Sequence, residues 1–481
     1  MRPRERCGIV GAYSLGECNI LSILINGSRG LQHRGQESWG IAVGDKLYKD
    51  LGLVPEVYEE TLHILEKMRG RVGIGHVRYS TKGRTTVENA HPIEIRSSKM
   101  FFMAHNGTIS NVEELSRSVR DGGYDAPEHA TDTELMGLRL SQILERRGDW
   151  FEAFQLIHKE LNGSYSLVIL TDSEELVAAR DGRGFRPLCL GWHEESKSYV
   201  IVSESCALDY LHAEFMRDIE PGEIIKIDGG GLQSHRFSEA GRHAHCPFEY
   251  TYFAHPSSYI EGRSVYQARK NIGRELARKY KGDIEGDITI PIPDSARPGA
   301  LGFSEESGVP FEEGLMKDRY RRKGSLRSFI EPGRRVEIVR EMIPIRSAIE
   351  GRDVVVIDDS IVRGTTSREV VRRLKDSGAK KIQWYVIFPP IAYPCYMGID
   401  FPTREELLVP RICEGNLDLG EVNEQAADHL GVDFLGYNDV EGLSRGIDLP
   451  KSELCLACTT GDYSCLRQKP RFKTREEMKG S

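Results

Sequence analysis

Apolar residues fall along this chain in short runs separated by polar loops. The densest lies in Arg352-Asp353-Val354-Val355-Val356-Ile357-Asp358-Asp359-Ser360-Ile361-Val362-Arg363-Gly364-Thr365-Thr366. Four consecutive β-branched residues predict a strand buried on both faces, as in a parallel α/β sheet. From Ser367 to Leu374 the pattern becomes helical, with Arg and Lys outward. Asp287-Ile288-Thr289-Ile290-Pro291-Ile292-Pro293-Asp294-Ser295-Ala296 predicts another strand that ends in a small polar loop. Ser264 onward reads as an amphipathic helix. Nearer the N-terminus, Cys7-Gly8-Ile9-Val10-Gly11-Ala12-Tyr13 and Gly75-His76-Val77-Arg78-Tyr79-Ser80-Thr81 predict short strands. The polar turn from Leu31 to Gly40 follows an apolar helix.

With 481 residues the chain is long enough for two or three domains with substantial cores. Its 39% hydrophobic and 29% charged content is that of a soluble globular protein. A net charge of −8 carries no polycation signature, so nucleic acid is not expected as a partner. No apolar run approaches the ~20 residues of a membrane span. Residues 1–6 are polar and lack the core of a signal peptide, which predicts a cytoplasmic protein without membrane attachment. The turn-rich passage after Pro221, with Gly229-Gly230-Gly231, marks a join between an N-terminal and a C-terminal half. Beyond Cys458 the charged tail is read as surface or disorder.

The chemistry begins with the two acids at the end of the Val354–Ile357 strand. Ligands of open α/β sheets bind beyond the carboxyl ends of the strands. The N–H groups of a Gly/Thr loop that opens a helix cradle a phosphate there, helped by the helix dipole. The spacing is not that of a Walker loop. Adjacent acids beside a phosphate loop suit a hydroxyl-bearing phosphate ester and its divalent metal. In the N-terminal half, Cys7 would gain its own α-amino group as a base if the chain were cut before it, since an α-amine titrates near ~8. Arg78 is a natural clamp for a carboxylate. Asn106 and Gly107 offer the two donor types of an oxyanion hole. Asp132 suits an ammonium group, so the set as a whole suits an amino acid.

The run from Asp358 to Thr366 resembles the phosphoribosyl-pyrophosphate (PRPP) loop of type I phosphoribosyltransferases. That resemblance implies that Asp358 and Asp359 face the ribose hydroxyls and the magnesium ion. It gives Ser360, Arg363, Gly364, Thr365 and Thr366 to the substrate and its 5′-phosphate, and Ser295 to magnesium. The basic run from Lys317 to Ile330, with Lys317 and Arg319, sits where the family has a lid that closes on pyrophosphate. It is longer here than in the relatives, and Arg340 to Ser347 also departs from the usual Lys-bearing pattern.

The segments Leu31 to Gly40, Gly75 to Thr81, Ala104 to Gly107 and Thr131 to Glu134, in that order after Cys7, resemble the N-terminal-nucleophile glutamine amidotransferases. The family fold is an αββα sandwich of two antiparallel sheets between helices. By resemblance Cys7 is the nucleophile, Asn106 and Gly107 form the oxyanion hole, and Arg78 and Asp132 hold glutamine. Two departures stand out: Thr108-Ile109 follows where the family has Asn-Leu, and Lys82 to Thr86 is more basic than usual.

Of ten cysteines, Cys246, Cys395 and the clip Cys455-Leu456-Ala457-Cys458 make a soft four-thiol set suited to zinc or to an iron–sulfur cluster. Cys18, Cys189, Cys206, Cys413 and Cys465 show no such spacing and are read as ordinary thiols. Cys246-Pro247-Phe248-Glu249-Tyr250 matches the start of the second domain of the glutamine PRPP amidotransferases, whose iron–sulfur branch has these four cysteines on a structural [4Fe–4S] cluster.

The reading that follows is a propeptide at 1–6, a type 2 glutamine amidotransferase domain at 7–235, a phosphoribosyltransferase domain with the cysteine cluster at 246–465, and a charged tail at 466–481. It implies glutamine and PRPP as substrates, magnesium and [4Fe–4S] as cofactors, a homotetramer, and feedback inhibition by purine nucleotides. Two other readings fit parts of the chain. One is a diverged paralogue with a working glutaminase half and another acceptor, suggested by the altered lid. The other is a non-catalytic sensor of PRPP or nucleotides, which would have no use for a processed thiol nucleophile.

Overall fold

The structure, a computed structural model, describes residues 7–16, 18–55, 65–79, 86–97, 99–127, 129–238, 241–317, 342–401, 403–413 and 418–468. Residues 1–6, expected to be a propeptide, residues 82–85 of the basic loop, residues 318–330 with Arg319, expected to form a lid, residues 340–341 and the tail 469–481 lie outside the described residues.

The N-terminal half contains two antiparallel sheets. The first has seven strands in the order Glu214–Asp218, Cys189–His193, Ser198–Val202, Gly8–Ser14, Val72–Arg78, Ser38–Val43, Lys46–Leu51. The second has six: Gly231–Arg236, Glu223–Asp228, Leu176–Arg180, Gly163–Thr171, Phe101–Ile109, Ile93–Ile95. Between the sheets, Ile9, Tyr13 and Ile74 pack on Phe102, Ala104, Val168 and Leu170. Each such side chain, fully buried, contributes about 1.5–3 kcal/mol. Helix Leu21–Gly30 covers the outer face of the first sheet, and helices Val112–Asp121, Asp132–Arg147 and Trp150–Ile157 cover the second. These four layers are the αββα sandwich that the resemblance implied.

The strand with the four β-branched residues runs from Asp353 to Asp358 in the C-terminal half. Its sheet is all parallel, in the order Ile288–Pro291, Asp353–Asp358, Lys381–Val386, Phe434–Tyr437. Val355 and Ile357 face helix Val265–Lys279, while Val354 and Val356 face helices Thr365–Asp376 and Leu419–Leu430. Burial on both faces explains why this strand shows no polar alternation. Among the described residues no helix is long and apolar enough to cross a membrane.

The chain beyond Cys458 corrects the expectation of a surface tail. Tyr463, Cys465 and Leu466 are buried with Phe185 and Met397. The Tyr463 hydroxyl donates to the Pro394 carbonyl at 2.6 Å, and Asn162 Oδ1 accepts the Arg467 N–H at 2.9 Å. The three apolar side chains were masked in sequence by the charges that follow them.

The two sheets of the N-terminal half are joined by a buried histidine trio. His76 Nε2 donates to the His105 carbonyl at 3.1 Å, the His105 N–H donates to His91 Nδ1 at 3.3 Å, and the His76 and His91 rings lie 4.6 Å apart. Burial lowers the pKa of all three, that of His76 to about 3. Their folded values lie below the unfolded value of ~6.5, so the unfolded chain binds protons first as pH falls. Stability is therefore expected to decline as pH drops below ~6.5, for His76 until about pH 3. Unfolding in urea at a series of pH values should show this, and His76→Gln should remove about one proton from the slope, ~1.4 kcal/mol per pH unit. An unchanged slope in the variant would contradict the assignment.

Candidate functional site

Cys7 opens the central strand of the seven-stranded sheet. Gly8 is in register with Val77, which brings Cys7 and Arg78 to the same end of that sheet. Arg78 is buried, and its Nη1 has no hydrogen-bond partner among the described residues. Asn106 and Gly107 lie on the facing sheet, on strand Phe101–Ile109. The His76–His105 hydrogen bond links the two strands next to these residues. Asn106 is buried, and its Nδ2 likewise lacks a partner among the described residues. An orphaned buried donor loses about 1–3 kcal/mol, so two of them beside a thiol point to an oxygen-bearing ligand.

Gly107 has φ +151°, and a Cβ there would stand 2.2 Å from the Ser164 carbonyl oxygen. No other residue fits so close to the neighbouring strand. Asp132 begins helix Asp132–Arg147, capped by Thr131, whose side chain accepts the Glu134 N–H. Its two carboxylate oxygens accept the N–H groups of Ile109 at 2.9 Å and Thr133 at 2.8 Å, which fixes the acid beside strand Phe101–Ile109.

The second site lies at the carboxyl ends of the parallel strands. The Asp359 N–H donates to Asp358 at 2.9 Å, the Ser360 hydroxyl donates to Asp359 at 3.0 Å, and the Ser295 hydroxyl also donates to Asp359. Ser295 thus reaches the acid pair across 64 residues of sequence. The donors gathered here are hard oxygens, which suits magnesium. Gly364 precedes helix Thr365–Asp376 with φ +76°, a conformation that favours glycine. The N–H groups that follow it open the helix. A pocket is lined by Asp358, Ser360, Arg363, Gly364, Thr366 and Trp384. Arg363 differs from expectation in one respect: its guanidinium is paired with Glu406 and donates to the Asp400 carbonyl at 3.3 Å. Its Nη1 is buried without a hydrogen-bond partner among the described residues. Lys317 ends strand Leu315–Lys317, its side chain exposed.

Cys246, Cys395, Cys455 and Cys458 interact electrostatically with one another; Cys455 and Cys458 are buried and the other two partly so. Burial raises Cys246 and Cys458, and it pushes Cys395 up to about 12. Without a metal these thiols stay protonated, and binding one must release protons. Four soft thiols gathered in this way suit zinc or an iron–sulfur cluster. Cys465, read from sequence as ordinary, is hydrogen-bonded to Cys455, and that contact raises Cys455 and lowers Cys465. Folding beyond Cys458 brings it there, which no C-x2-C spacing announces.

Sequence reasoning also missed the junction between the halves. Arg34 is fully enclosed. Its Nε donates to the Cys7 carbonyl at 2.9 Å, and its Nη atoms donate to Glu249 at 2.9 and 3.0 Å and to Glu204. Arg186 donates to Glu249 and to the Met397 carbonyl, both at 3.0 Å. The Met397 carbonyl also accepts the Ser164 hydroxyl at 2.9 Å. Burial alone would raise the pKa of Glu204, but His33 and Arg34 outweigh it and hold the carboxyl well below the usual range. One network therefore joins the Cys7 backbone, the strand beside Asn106 and Gly107, and the segment that carries Cys395.

Three comparisons bear on these sites. Residues 76–210 match the family model described as a glutamine amidotransferase domain. The chain is 42% identical over 480 residues to an amidophosphoribosyltransferase of Methanocaldococcus jannaschii, covering 95% of this chain and 97% of the relative. It is 38% identical over 473 residues to an amidophosphoribosyltransferase of Synechococcus elongatus, covering 96% and 92%. Its fold is similar to a solved structure described as the allosteric regulatory enzyme of purine biosynthesis, with TM-score 0.83 at 36% identity over 97% of this chain and 98% of the other. It is also similar to the glutamine PRPP amidotransferase from B. subtilis complexed with ADP and GMP, with TM-score 0.82 at 35% identity over 98% and 100%.

Removing one charge from the junction should be costly, because a broken buried pair leaves an uncompensated ion. Glu249→Gln is expected to lower the free energy of unfolding by about 3–5 kcal/mol, measured with denaturant on the full chain. A loss below about 1 kcal/mol would mean that the network adds little to the union of the halves.

Proposed function

This chain belongs to the amidophosphoribosyltransferases, the glutamine PRPP amidotransferases that perform the first step of purine biosynthesis, and we propose how its residues divide that reaction. Removal of residues 1–6 frees the Cys7 α-amine, which takes the thiol proton. The sulfur attacks the side-chain amide carbon of glutamine. Asn106 Nδ2 and the Gly107 N–H hold the oxyanion as it forms. Arg78 takes the α-carboxylate of glutamine and Asp132 its α-ammonium. Ammonia departs with the proton, and water then cleaves the thioester to glutamate. The observation that carries this assignment is the pair of unpartnered buried donors, Arg78 Nη1 and Asn106 Nδ2, at the Cys7 end of the sheets.

In the C-terminal half the N–H groups of Gly364, Thr365 and Thr366 cradle the 5′-phosphate of PRPP, joined by the Ser360 hydroxyl and the Arg363 backbone. Asp358 and Asp359 face the ribose hydroxyls. Ammonia, passed internally from the glutaminase half, forms the bond to C1 as the bond to pyrophosphate breaks, giving 5-phosphoribosylamine. Lys317 and Arg319 neutralise the departing pyrophosphate and help exclude water. Magnesium held by Ser295, Asp358 and Asp359 would add charge neutralisation to the leaving group.

The four thiols support assigning the chain to the iron–sulfur branch. The convergence of Cys246, Cys395, Cys455 and Cys458 supports a structural [4Fe–4S] cluster, and the Met397 contacts give it a path to the glutaminase half. Purine nucleotides act as feedback inhibitors, a reading supported by the B. subtilis relative with ADP and GMP. The working unit is a homotetramer.

Cys7→Ala separates the two chemistries. Glutamine-dependent synthesis should fall by at least ~1,000-fold, while synthesis from ammonium stays within a few-fold of the parent. Both rates are read as pyrophosphate release. Equal loss with both nitrogen donors would contradict the division of labour.

A further inference from the structure

Outside both reaction sites, three metal-ligating side chains converge where the halves are joined. His243 and His245 lie on the linker just before Cys246, and Glu453 lies just before the Cys455 clip. Backbone contacts hold the two segments side by side. The His245 N–H donates to the Glu453 carbonyl at 2.8 Å, and the Cys455 N–H donates to the His245 carbonyl at 2.9 Å. Arg242 Nε donates to the Ser452 carbonyl at 2.8 Å.

One ligand atom from each of His243, His245 and Glu453 lies within 4.8 Å of the other two. Three atoms so spaced leave a common centre under about 2.8 Å from each, against ~2.0–2.1 Å for a zinc–imidazole bond. The side chains would close on an ion by less than about an ångström. His245 Nδ1–H donates to the Gly184 carbonyl at 3.0 Å and lies 3.7 Å from the Glu261 carboxylate, so the nitrogen left for a metal is Nε2. Metal-bound histidines are held in this way by a carbonyl or carboxylate on the far ring nitrogen. Neither the His243 nor the Glu453 side chain makes a hydrogen bond or ion pair among the described residues, and both are half-exposed.

The other three-ligand group, His33, Glu204 and Cys206, lacks this character. Its carboxylate is already bound by Arg34 and His33 and accepts the Ser258 hydroxyl and the His255 N–H. A cation there would compete with a buried guanidinium.

We propose that His243, His245 and Glu453 bind one divalent first-row ion, zinc being the best match to two imidazoles and a carboxylate, with water as the fourth ligand. The ion cross-links the linker between the halves to the segment that carries Cys455 and Cys458. It is distinct from whatever the four thiols hold.

The test uses the full chain, purified anaerobically with its iron in place and stripped of loose metal with a chelator. Zinc is titrated against a chromophoric chelator, and zinc and iron are then counted by elemental analysis. One zinc per chain is expected, with iron unchanged. His243→Gln and Glu453→Gln, both at half-exposed positions, should each weaken zinc binding by ~100-fold or more without loss of iron. Absence of zinc binding at micromolar concentration, or equal binding by both variants, would overturn the proposal. So would parallel loss of iron and zinc, which would assign the three residues to the thiol cluster.

Discussion

A guanidinium with no access to water has to find its charge partners inside the protein, and Arg34 finds them in both halves of the chain. Glu204 comes from the N-terminal half and Glu249 from the C-terminal half, and each is buried with it. An ion so enclosed is tolerable only with this full set of contacts. The halves therefore cannot separate without exposing or stranding charge. The same guanidinium binds the carbonyl of Cys7, so the placement of the proposed nucleophile and the docking of the halves rest on one side chain. Arg186 extends the constraint to Met397, and Met397 extends it to Ser164 on the strand beside Asn106 and Gly107.

That arrangement gives a physical reason for building two chemistries into one chain. Ammonia released from glutamine is useful only if it reaches C1 of PRPP before escaping to water. A rigid junction keeps the two sites in a fixed relation, and the thiol set lies against it. Cys395 sits two residues before Met397, and Cys246 lies three residues before Glu249. A cluster on these thiols would brace the segments that carry the junction, which fits a structural rather than an electron-transfer role.

Much of this was legible in the sequence, for reasons that differ from site to site. The strand Val354–Ile357 declares itself because burial on both faces removes polar alternation. Its acids and glycine follow at once in the chain, so the whole loop reads as one unit. Cys7, Arg78, Asn106 and Asp132 are far apart in sequence, and the ordered resemblance rather than spacing singled them out. The ion network was not legible, because Arg34 and Glu249 are 215 positions apart and each looks like a surface residue alone. The pairing of Arg363 with Glu406 was hidden for the same reason: sequence gives the side chain's type but not its direction. Cys465 and Leu466 were misjudged because three apolar residues were outweighed by the charged tail that follows.

The central claim is that one chain couples glutamine hydrolysis to PRPP use. The most direct measurement is the release of glutamate and pyrophosphate by anaerobically purified protein supplied with glutamine, PRPP and magnesium. The account predicts equal amounts of the two products, with glutamate release rising when PRPP is present. Glutamate released at the same rate without PRPP, with no matching pyrophosphate, would contradict it.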